Sequence, residues 1–363
     1  MPSDAAAVGA WLTAMREQGL SPRFVAMDNE PELWGFTHYD VYPDCTTYST
    51  ILEKHLEYAS MVRAVMPETE ITGPVTCCWY YYWNSAAGVP DKLRHGNQDF
   101  LPWFLSEVRK HDQQNDVRTL DVLDIHYYPA DLYNDDADEQ TAAHRLRATR
   151  SLWDRSYRDE SWIDEPIYLI PRMKELIDAN YPGLKLGVSE WNFGAEETIN
   201  GALAIADVLG IFGREDLYMA SYWTYPPLNS PGHFAFKMYT NYDGNGGRFG
   251  ETAVYAQSSD ESSVTVYAAQ DSSGTQTHLM LINKDPQRAL SVGLDLVGIA
   301  PETATMFRYS DTVPDRIVEE LADLSTSTLV LPAYSITHLV LQGIKDGRVV
   351  AKQPLGYTSF ASC

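Results

Sequence analysis

The chain has 363 residues, of which 44% are hydrophobic and 21% charged, as is ordinary for a soluble protein with one large and one smaller domain. Its net charge of -23 repels nucleic acid and excludes DNA and RNA partners, although the acidity could equally serve solubility alone. No apolar run approaches the roughly 20 residues of a membrane span, and the first residues lack the pattern of a secretory signal. We expect a monomer.

The first two thirds of the chain alternate between amphipathic segments and short apolar runs. Helical spacing predicts helices over 4–19, 48–66, 99–111, 166–180 and 199–213. Apolar runs that end in polar residues predict strands within 23–31, 70–75, 120–129, 184–192 and 217–224. The connection 130–165 is long and rich in Asp and Arg. Five alternations of this kind indicate a parallel α/β architecture.

The pattern changes after about residue 240. A turn-rich segment is followed by short β-branched runs that are separated by Gly, Ser, Asp and Pro, and this is typical of a β-sandwich. The runs are 262–270, 277–284, 290–298, 303–309, 327–332 and 335–342. We therefore expect a parallel α/β domain over 1–240 and a β-sandwich over 241–363.

Aromatic residues cluster near the ends of the predicted strands. The clusters are 77–83, 126–129, 190–193 and 221–226. Buried cores usually use Leu, Ile and Val instead, whereas aromatic rings near strand ends suit stacking on the apolar faces of sugar rings. The sequence therefore favours a carbohydrate as the ligand.

Two carboxylates end predicted strands, Glu30 in DNEP and Glu190 in SEWN. In a (β/α)8 barrel the active site gathers at the carboxyl ends of the strands, so two such residues can flank one glycosidic bond. Taken alone, a Glu near a strand end is more often a solvated rim residue. The neighbours favour a site, because Asn29 could bind a sugar hydroxyl and Trp191 could form the floor of a sugar subsite.

Several long motifs occur in a recognisable order: 28–34, 120–129, 150–163, 206–213 and 239–252. Together they resemble glycoside hydrolase family 44, within the clan of retaining (β/α)8 glycosidases. The resemblance implies a retaining endo-β-1,4-glucanase that acts on cellulose-type glucans and often on xyloglucan. In that clan the acid/base lies on strand 4 of the barrel and the nucleophile on strand 7.

Carried over position by position, the resemblance makes Glu30 the acid/base and Glu190 the nucleophile. A retaining pair of this kind is expected to lie roughly 5–5.5 Å apart. The expected substrate-binding residues are Asn29, Trp34, Trp79, His126, Tyr128, Trp191 and Trp223. Core packing is the alternative for His126 and Tyr128, and some rings of the segment 79–82 could merely be buried.

The number of predicted strands is too small for a complete (β/α)8 barrel. Five strands are predicted, and the first of them carries the residue that belongs on strand 4, so strands 4–8 are expected here and strands 1–3 are expected to be missing. The chain alone is then expected to fold poorly. An extracellular location is inferred from the polymeric substrate, and the signal peptide is not present in this chain.

Cofactor motifs are sparse. An acidic stretch could bind structural Ca²⁺, although a solvated acidic loop is the simpler interpretation because EF-hand spacing is absent. Its residues are Asp131, Asn134, Asp135, Asp136 and Asp138. No other cofactor is expected, since CxxC pairs and a phosphate-binding Gly loop before a helix are both missing.

The cysteines leave pairing open. Cys77 and Cys78 are adjacent and cannot easily bridge each other, whereas a bridge from Cys45 to one of them remains an alternative.

Two other functions remain open from sequence. One is a non-catalytic carbohydrate-binding remnant of an old barrel, which the intact pair Glu30 and Glu190 disfavours. The other is a retaining β-mannanase or xylanase of the same clan, because the identity of the sugar depends on loop contacts.

Overall fold

A computed structural model describes residues 4–297, 301–323, 328–342 and 348–352. The chain forms two compact units, each assembled from three segments. Unit 1 comprises 1–128, 169–192 and 217–223, and unit 2 comprises 129–168, 193–216 and 224–363. The predicted boundary at residue 240 remains a prediction.

The described helices follow the predicted order with additions. They are α1 (Ala5–Glu17), α2 (Trp34–Thr37), α3 (Tyr48–Val65), α4 (Trp79–Trp83), α5 (Gly88–Arg94), α6 (Phe100–Asn115), α7 (Glu139–Ala148), α8 (Leu169–Asn180), α9 (Ile199–Arg214) and α10 (Pro231–Thr240). Side-chain caps fix several starts: Asp4 accepts from the Ala7 N–H, and Thr198 accepts from the Gly201 N–H. None of the described helices is both long enough and apolar enough to span a bilayer.

The strands of unit 1 are β1 (Phe24–Ala26), β2 (Glu70–Thr76), β3 (Val122–Tyr127), β4 (Lys185–Trp191) and β5 (Met219–Tyr222). They form one parallel sheet in the order β1-β2-β3-β4-β5. All six residues of β3 are buried, because it is the central strand and both faces are covered. The predicted parallel α/β architecture is confirmed, with a five-stranded sheet.

Helices α1 and α3 cover one face of this sheet. Leu12 of α1 packs with Ala59 and Val62 of α3 and with Ile71 of β2 in one buried cluster. Leu12, Ala59 and Val62 are among the apolar positions whose helical spacing predicted the two helices. Burial of this stripe, at about 25 cal/mol per Å² of apolar surface, holds the helices on the sheet.

The strands of unit 2 are β6 (Thr252–Val254), β7 (Ala256–Ser258), β8 (Val264–Gln270), β9 (Gln276–Asn283), β10 (Leu290–Val297), β11 (Thr303–Ser310), β12 (Val313–Leu321), β13 (Thr328–Leu331), β14 (Ser335–Gln342) and β15 (Arg348–Lys352). They form a six-stranded sheet, β12-β11-β14-β9-β8-β6, and a four-stranded sheet, β13-β10-β15-β7. Pairing is antiparallel except between β7 and β15. Each predicted run contains a strand, although Gly298, the end of one run, and Ser327, the start of another, lie outside the described residues.

Apolar side chains of both sheets meet in one core of unit 2. Val266 and Leu281 come from the six-stranded sheet, and Val292 and Leu331 come from the four-stranded sheet. Because successive side chains of a strand face opposite sides of its sheet, Val266 of β8 and Leu281 of β9 lie on the same face.

Five of the described helices were not expected from sequence: α2, α4, α5, α7 and α10. Helix α7 lies inside the connection 130–165, where Asp138 caps it by accepting from the N–H groups of Gln140 and Thr141. Helix α4 is made of the aromatic run 79–83, and α10 begins at a Ser230 cap. These helices are short or lack a clear apolar period, so the sequence pattern alone did not reveal them.

Candidate active site

An irregularity in β4 aims Glu190. Register between β3 and β4 is regular from Val122 to Ile125, which lies opposite Val188. The next pair is His126 with Glu190, so Ser189 is an extra residue in the ladder. Without this bulge, Ser189 would lie opposite His126 and Glu190 would face the other side of the sheet. The bulge therefore brings Glu190 onto the same face as His126.

Asp124 supports the bulge. Its Oδ1 accepts a hydrogen bond from the Ser189 N–H at 3.1 Å, and its Oδ2 accepts from the Thr72 hydroxyl at 2.9 Å. A bulged residue leaves its backbone group without a ladder partner, and the buried carboxyl supplies one. Burial raises the pKa of Asp124.

Glu30 lies in a turn beyond β1 instead of on a strand. Its backbone is left-handed, with φ 44°, as is that of Asp28, with φ 71°. The Glu30 N–H donates to the Val75 carbonyl of β2 at 3.0 Å, and Val75 also has a positive φ, 59°. Strained backbone at non-glycine residues persists where the surroundings fix it, which is common at functional sites.

His126 links the two carboxylates. Its Nδ1 lies 2.8 Å from Glu30 Oε1 and 3.3 Å from Glu190 Oε2, and its side chain is fully buried. The Tyr128 hydroxyl donates to Glu190 Oε2 at 2.8 Å. The Tyr82 hydroxyl donates to the His126 carbonyl, which anchors this end of β3.

The carboxylate separation limits the chemistry. Single oxygen atoms of Glu30 and Glu190 and a ring nitrogen of His126 all lie within 4.8 Å of one another. An inverting pair needs about 6.5–9.5 Å, because a water molecule must fit between the sugar and the base, whereas a retaining pair needs about 5–5.5 Å. The arrangement suits direct attack by one carboxylate.

Several charges act on Glu190. Burial raises its pKa, and the nearby Glu30 and Asp124 carboxyls act in the same direction. The hydrogen bond from Tyr128 and the charge of His126 oppose this rise. The net pKa is raised, so Glu190 ionises at a higher pH than an ordinary Glu.

Comparison with known proteins identifies the family. The sequence model of glycoside hydrolase family 44 matches residues 1–131. CelM2, a bifunctional glucanase-xylanase from a metagenome library, has a solved structure that is similar to this chain with a TM-score of 0.86. The two are 35% identical, and the match covers 93% of this chain and 69% of CelM2. The chain belongs to glycoside hydrolase family 44. The resemblance inferred from the motifs is therefore confirmed.

Two further relatives of the family 44 chain are informative. Endoglucanase A of Paenibacillus lautus is 32% identical over 335 residues, which are 87% of this chain and 48% of that protein. A Paenibacillus polymyxa xyloglucanase from family 44, solved with xyloglucan, is 27% identical with a TM-score of 0.85, and the match covers 93% of this chain and 70% of that one. This chain thus spans about half the length of the Paenibacillus lautus endoglucanase.

The structure brings together four of the residues that sequence selected: Glu30, His126, Tyr128 and Glu190. The other residues predicted to bind substrate have no common location in the structure. Trp191 is buried and packs edge-to-face on Tyr222. Trp223, directly after β5, is 44% exposed.

Trp79 is buried in the short helix α4, where its ring packs against Tyr82 and Trp83 and lies 5.3 Å from the guanidinium of Arg172. This placement favours a packing role over an open sugar platform.

The other two candidates lie near Glu30 in sequence. Trp34 is half-buried and contacts Tyr42 edge-to-face, while Asn29 is exposed and its N–H donates to the Asp28 carboxylate. The roles of Trp34 and Asn29 in substrate binding remain predictions.

Sequence reasoning missed Asp124 and Glu32. Asp124 precedes His126 by two residues on β3, so period-2 alternation could have placed both on one face. Glu32 is only 3% exposed and accepts a hydrogen bond from the Thr76 hydroxyl, and its burial raises its pKa to about 8. No local pattern marks Glu32, because its burial depends on contact with the end of β2.

Metal binding has one geometric candidate in the described ranges, the trio Glu30, His126 and Glu190. In the acidic stretch, the Asp138 carboxylate caps α7 and Asn134 Oδ1 accepts from the Asp136 N–H. Calcium binding at that stretch therefore remains a prediction.

Proposed function

We propose that this chain is the catalytic part of a retaining endo-β-1,4-glucanase, with Glu30 as acid/base and Glu190 as nucleophile. Its substrates are cellulose-type glucans, xyloglucan, or both. The proposal rests on the geometry of the two carboxylates. One oxygen of Glu30, one oxygen of Glu190 and a ring nitrogen of His126 lie within 4.8 Å of one another, at the carboxyl ends of parallel strands.

The reaction follows from this geometry in two steps. Glu190 attacks the anomeric carbon while Glu30 gives its proton to the departing glycosidic oxygen, which leaves a covalent glycosyl-enzyme. Glu30, now a carboxylate, then takes a proton from water as that water attacks the same carbon and releases Glu190. The two inversions restore the starting configuration.

His126 and Tyr128 orient the reacting groups. The Tyr128 hydroxyl bonds one oxygen of Glu190, which leaves the other oxygen to attack. His126 is held inside β3 and contacts Glu30 and Glu190, so it fixes their spacing. A residue on a hydrogen-bonded strand holds catalytic groups in place more precisely than a residue on a mobile loop.

The fold supports finer proposals. We infer that the five parallel strands correspond to strands 4–8 of a (β/α)8 barrel, and that the two sheets of unit 2 pack as a β-sandwich. The polymeric substrate supports an extracellular location. We further expect a monomer that needs no cofactor.

The substrate is tested by measuring reducing ends released from carboxymethylcellulose, xyloglucan, glucomannan and xylan. We expect the largest rates on the first two. The names of the relatives support glucan and xyloglucan, and the glucanase-xylanase CelM2 makes xylan an informative arm. Preference for glucomannan or xylan would instead favour a mannanase or xylanase.

A second measurement separates catalysis from mere binding. Glu190→Gln should abolish product release while preserving affinity for oligosaccharides in calorimetry. Sugar binding without hydrolysis by the wild type would favour the non-catalytic remnant.

A further inference from the structure

The end of β2 carries two adjacent thiols beside the candidate acid/base. Cys77 and Cys78 follow Thr76, and their sulfur atoms lie 3.1 Å apart. Both cysteines are free, Cys77 is 7% exposed and Cys78 is half-buried. From sequence, adjacent cysteines were not expected to bridge easily. The physical reason is that neighbouring Cα atoms are only ~3.8 Å apart, whereas most disulfides span about 4.4–6.8 Å.

The side-chain geometry changes that expectation. Both thiols already point at each other, so a bond requires a further approach of about 1 Å, to the ~2.05 Å of a disulfide. A ring closed between neighbours stays strained, and strained disulfides are the readily reduced ones. The pair is therefore placed for reversible chemistry.

The surroundings distinguish the two sulfur atoms. The thiol hydrogen bond from Cys77 lowers the pKa of Cys78, whereas that same bond and burial raise the pKa of Cys77. Cys78 is also the more accessible of the two. Since the thiolate is the attacking species, Cys78 reacts first and Cys77 second.

We propose that Cys77 and Cys78 form a site of reversible oxidation, a vicinal disulfide next to Glu30. The oxidant is a small disulfide. Cys78 loses its proton, and its thiolate attacks one sulfur atom of this oxidant and expels one thiolate. Cys77 then loses its proton, attacks the Cys78 sulfur and expels the second thiolate. The two cysteines are oxidised and one external disulfide is reduced to two thiols, each of which takes up one proton.

Formation of the Cys77–Cys78 disulfide ring is expected to affect the active site through the backbone. It requires new torsions at residues 77 and 78, two positions after Val75, whose carbonyl accepts the hydrogen bond from the Glu30 N–H. Both thiols also interact electrostatically with Glu30. Resting on the proposed role of Glu30, we expect oxidation to lower kcat/KM by about two- to tenfold, since small misplacements of catalytic groups slow reactions strongly.

The test uses the full chain with Cys45→Ser and Cys363→Ser, which leaves only the two thiols; Cys363 lies outside the described residues. The probe is 2,2′-dithiodipyridine, whose released thiopyridone is measured by absorbance. We expect two thiopyridones per chain, no pyridyl adduct by mass spectrometry, and a peptide spanning 77–78 that lacks two hydrogens. Dithiothreitol should restore the thiols and the rate.

Two conservative variants of the same chain check the order of attack. Cys77→Ser should release one thiopyridone and keep one pyridyl adduct on Cys78, because the resolving thiol is missing. Cys78→Ser should react slowly or not at all, since Cys77 is buried.

Different failures have different meanings. Two adducts on one chain, an unreacted pair, or a bridge from Cys45 to either cysteine in the wild type would overturn the vicinal disulfide. An unchanged rate with the 77–78 bond present would overturn its link to Glu30. Absence of hydrolysis by the reduced wild type would instead contradict the proposed function, and the peptide map does not depend on activity.

Discussion

The two candidate catalytic carboxylates are held in unlike ways. Glu190 lies within a buried strand whose ladder pairs it with His126 of β3, and Asp124 holds the adjoining bulge. Glu30 lies beyond the edge strand β1, in a left-handed turn that one backbone hydrogen bond ties to β2. The nucleophile region is thus part of the sheet, whereas the acid/base region is a loop resting on it.

This difference suits the two roles. The attacking carboxylate must keep a fixed line to the anomeric carbon, and a ladder position is rigid. The acid/base must first give a proton to the leaving oxygen and later take one from water, so its carboxyl serves two partners in turn. Changes in the Glu190 region should therefore affect bond formation, and changes in the Glu30 region should affect proton transfer.

The largest effect is expected for Glu190→Gly. Loss of the nucleophile should reduce turnover by roughly 10⁴-fold or more, since no covalent intermediate can form. Azide should restore activity on a substrate with a β-configured leaving group and give an α-glycosyl azide, identified by NMR. Glu190→Gln keeps the side-chain volume and controls for folding. A β-azide from Glu190→Gly, or an α-azide from a Glu30 variant, would exchange the two roles.

Glu30→Ala should come next. Turnover of natural glucan should fall about 10²–10⁴-fold, as for loss of a general acid, while aryl glycosides with good leaving groups should keep their rate of glycosylation. Pre-steady-state release of the phenolate measures that step. Glu68→Ala, at an exposed site, is the matched control. Equal losses on both substrates would be inconsistent with this role.

Asp124→Ala should disturb Glu190 indirectly, through the bulge at Ser189. The partly buried Ser189 N–H and the buried Thr72 hydroxyl would lose their acceptor, which costs up to about 1–3 kcal/mol for each unsatisfied group. We expect a lower melting temperature and about 10–100-fold slower turnover, because the bulge no longer aims Glu190. Asp124→Asn keeps an acceptor and should recover part of the rate. Full activity of Asp124→Ala would mean that the bulge forms without this support.

The smallest change is expected for Tyr128→Phe, and it is chiefly a shift in pH dependence. Glu190 must be ionised to attack, and the Tyr128 hydrogen bond lowers a pKa that burial raises. Its loss raises that pKa further, so the acidic limb of kcat should move to higher pH. Rates at alkaline pH should change little. Tyr133→Phe, at an exposed residue, is the control, and a shift toward lower pH would contradict the assignment.

Much of unit 1 was predictable because its signals are local. The apolar spacing of 48–66 and the buried run 120–129 predicted α3 and β3 to within a few residues. Helix α4 was missed because five consecutive aromatic residues carry no helical period. Asp124 could have been found by alternation from His126, whereas the burial of Glu32 requires knowledge of which strand end it contacts.

The sequence by itself determined the chemistry that is available: two carboxylates at the ends of predicted strands, aromatic clusters beside them, and motifs that indicate the family. Tertiary structure alone decided how these groups face one another. The extra residue Ser189 turns Glu190 toward His126, and the backbone after Val75 brings the thiols of Cys77 and Cys78 together. A bulge changes the facing of every residue beyond it, and it depends on pairing with residues distant in sequence, which local periodicity does not encode.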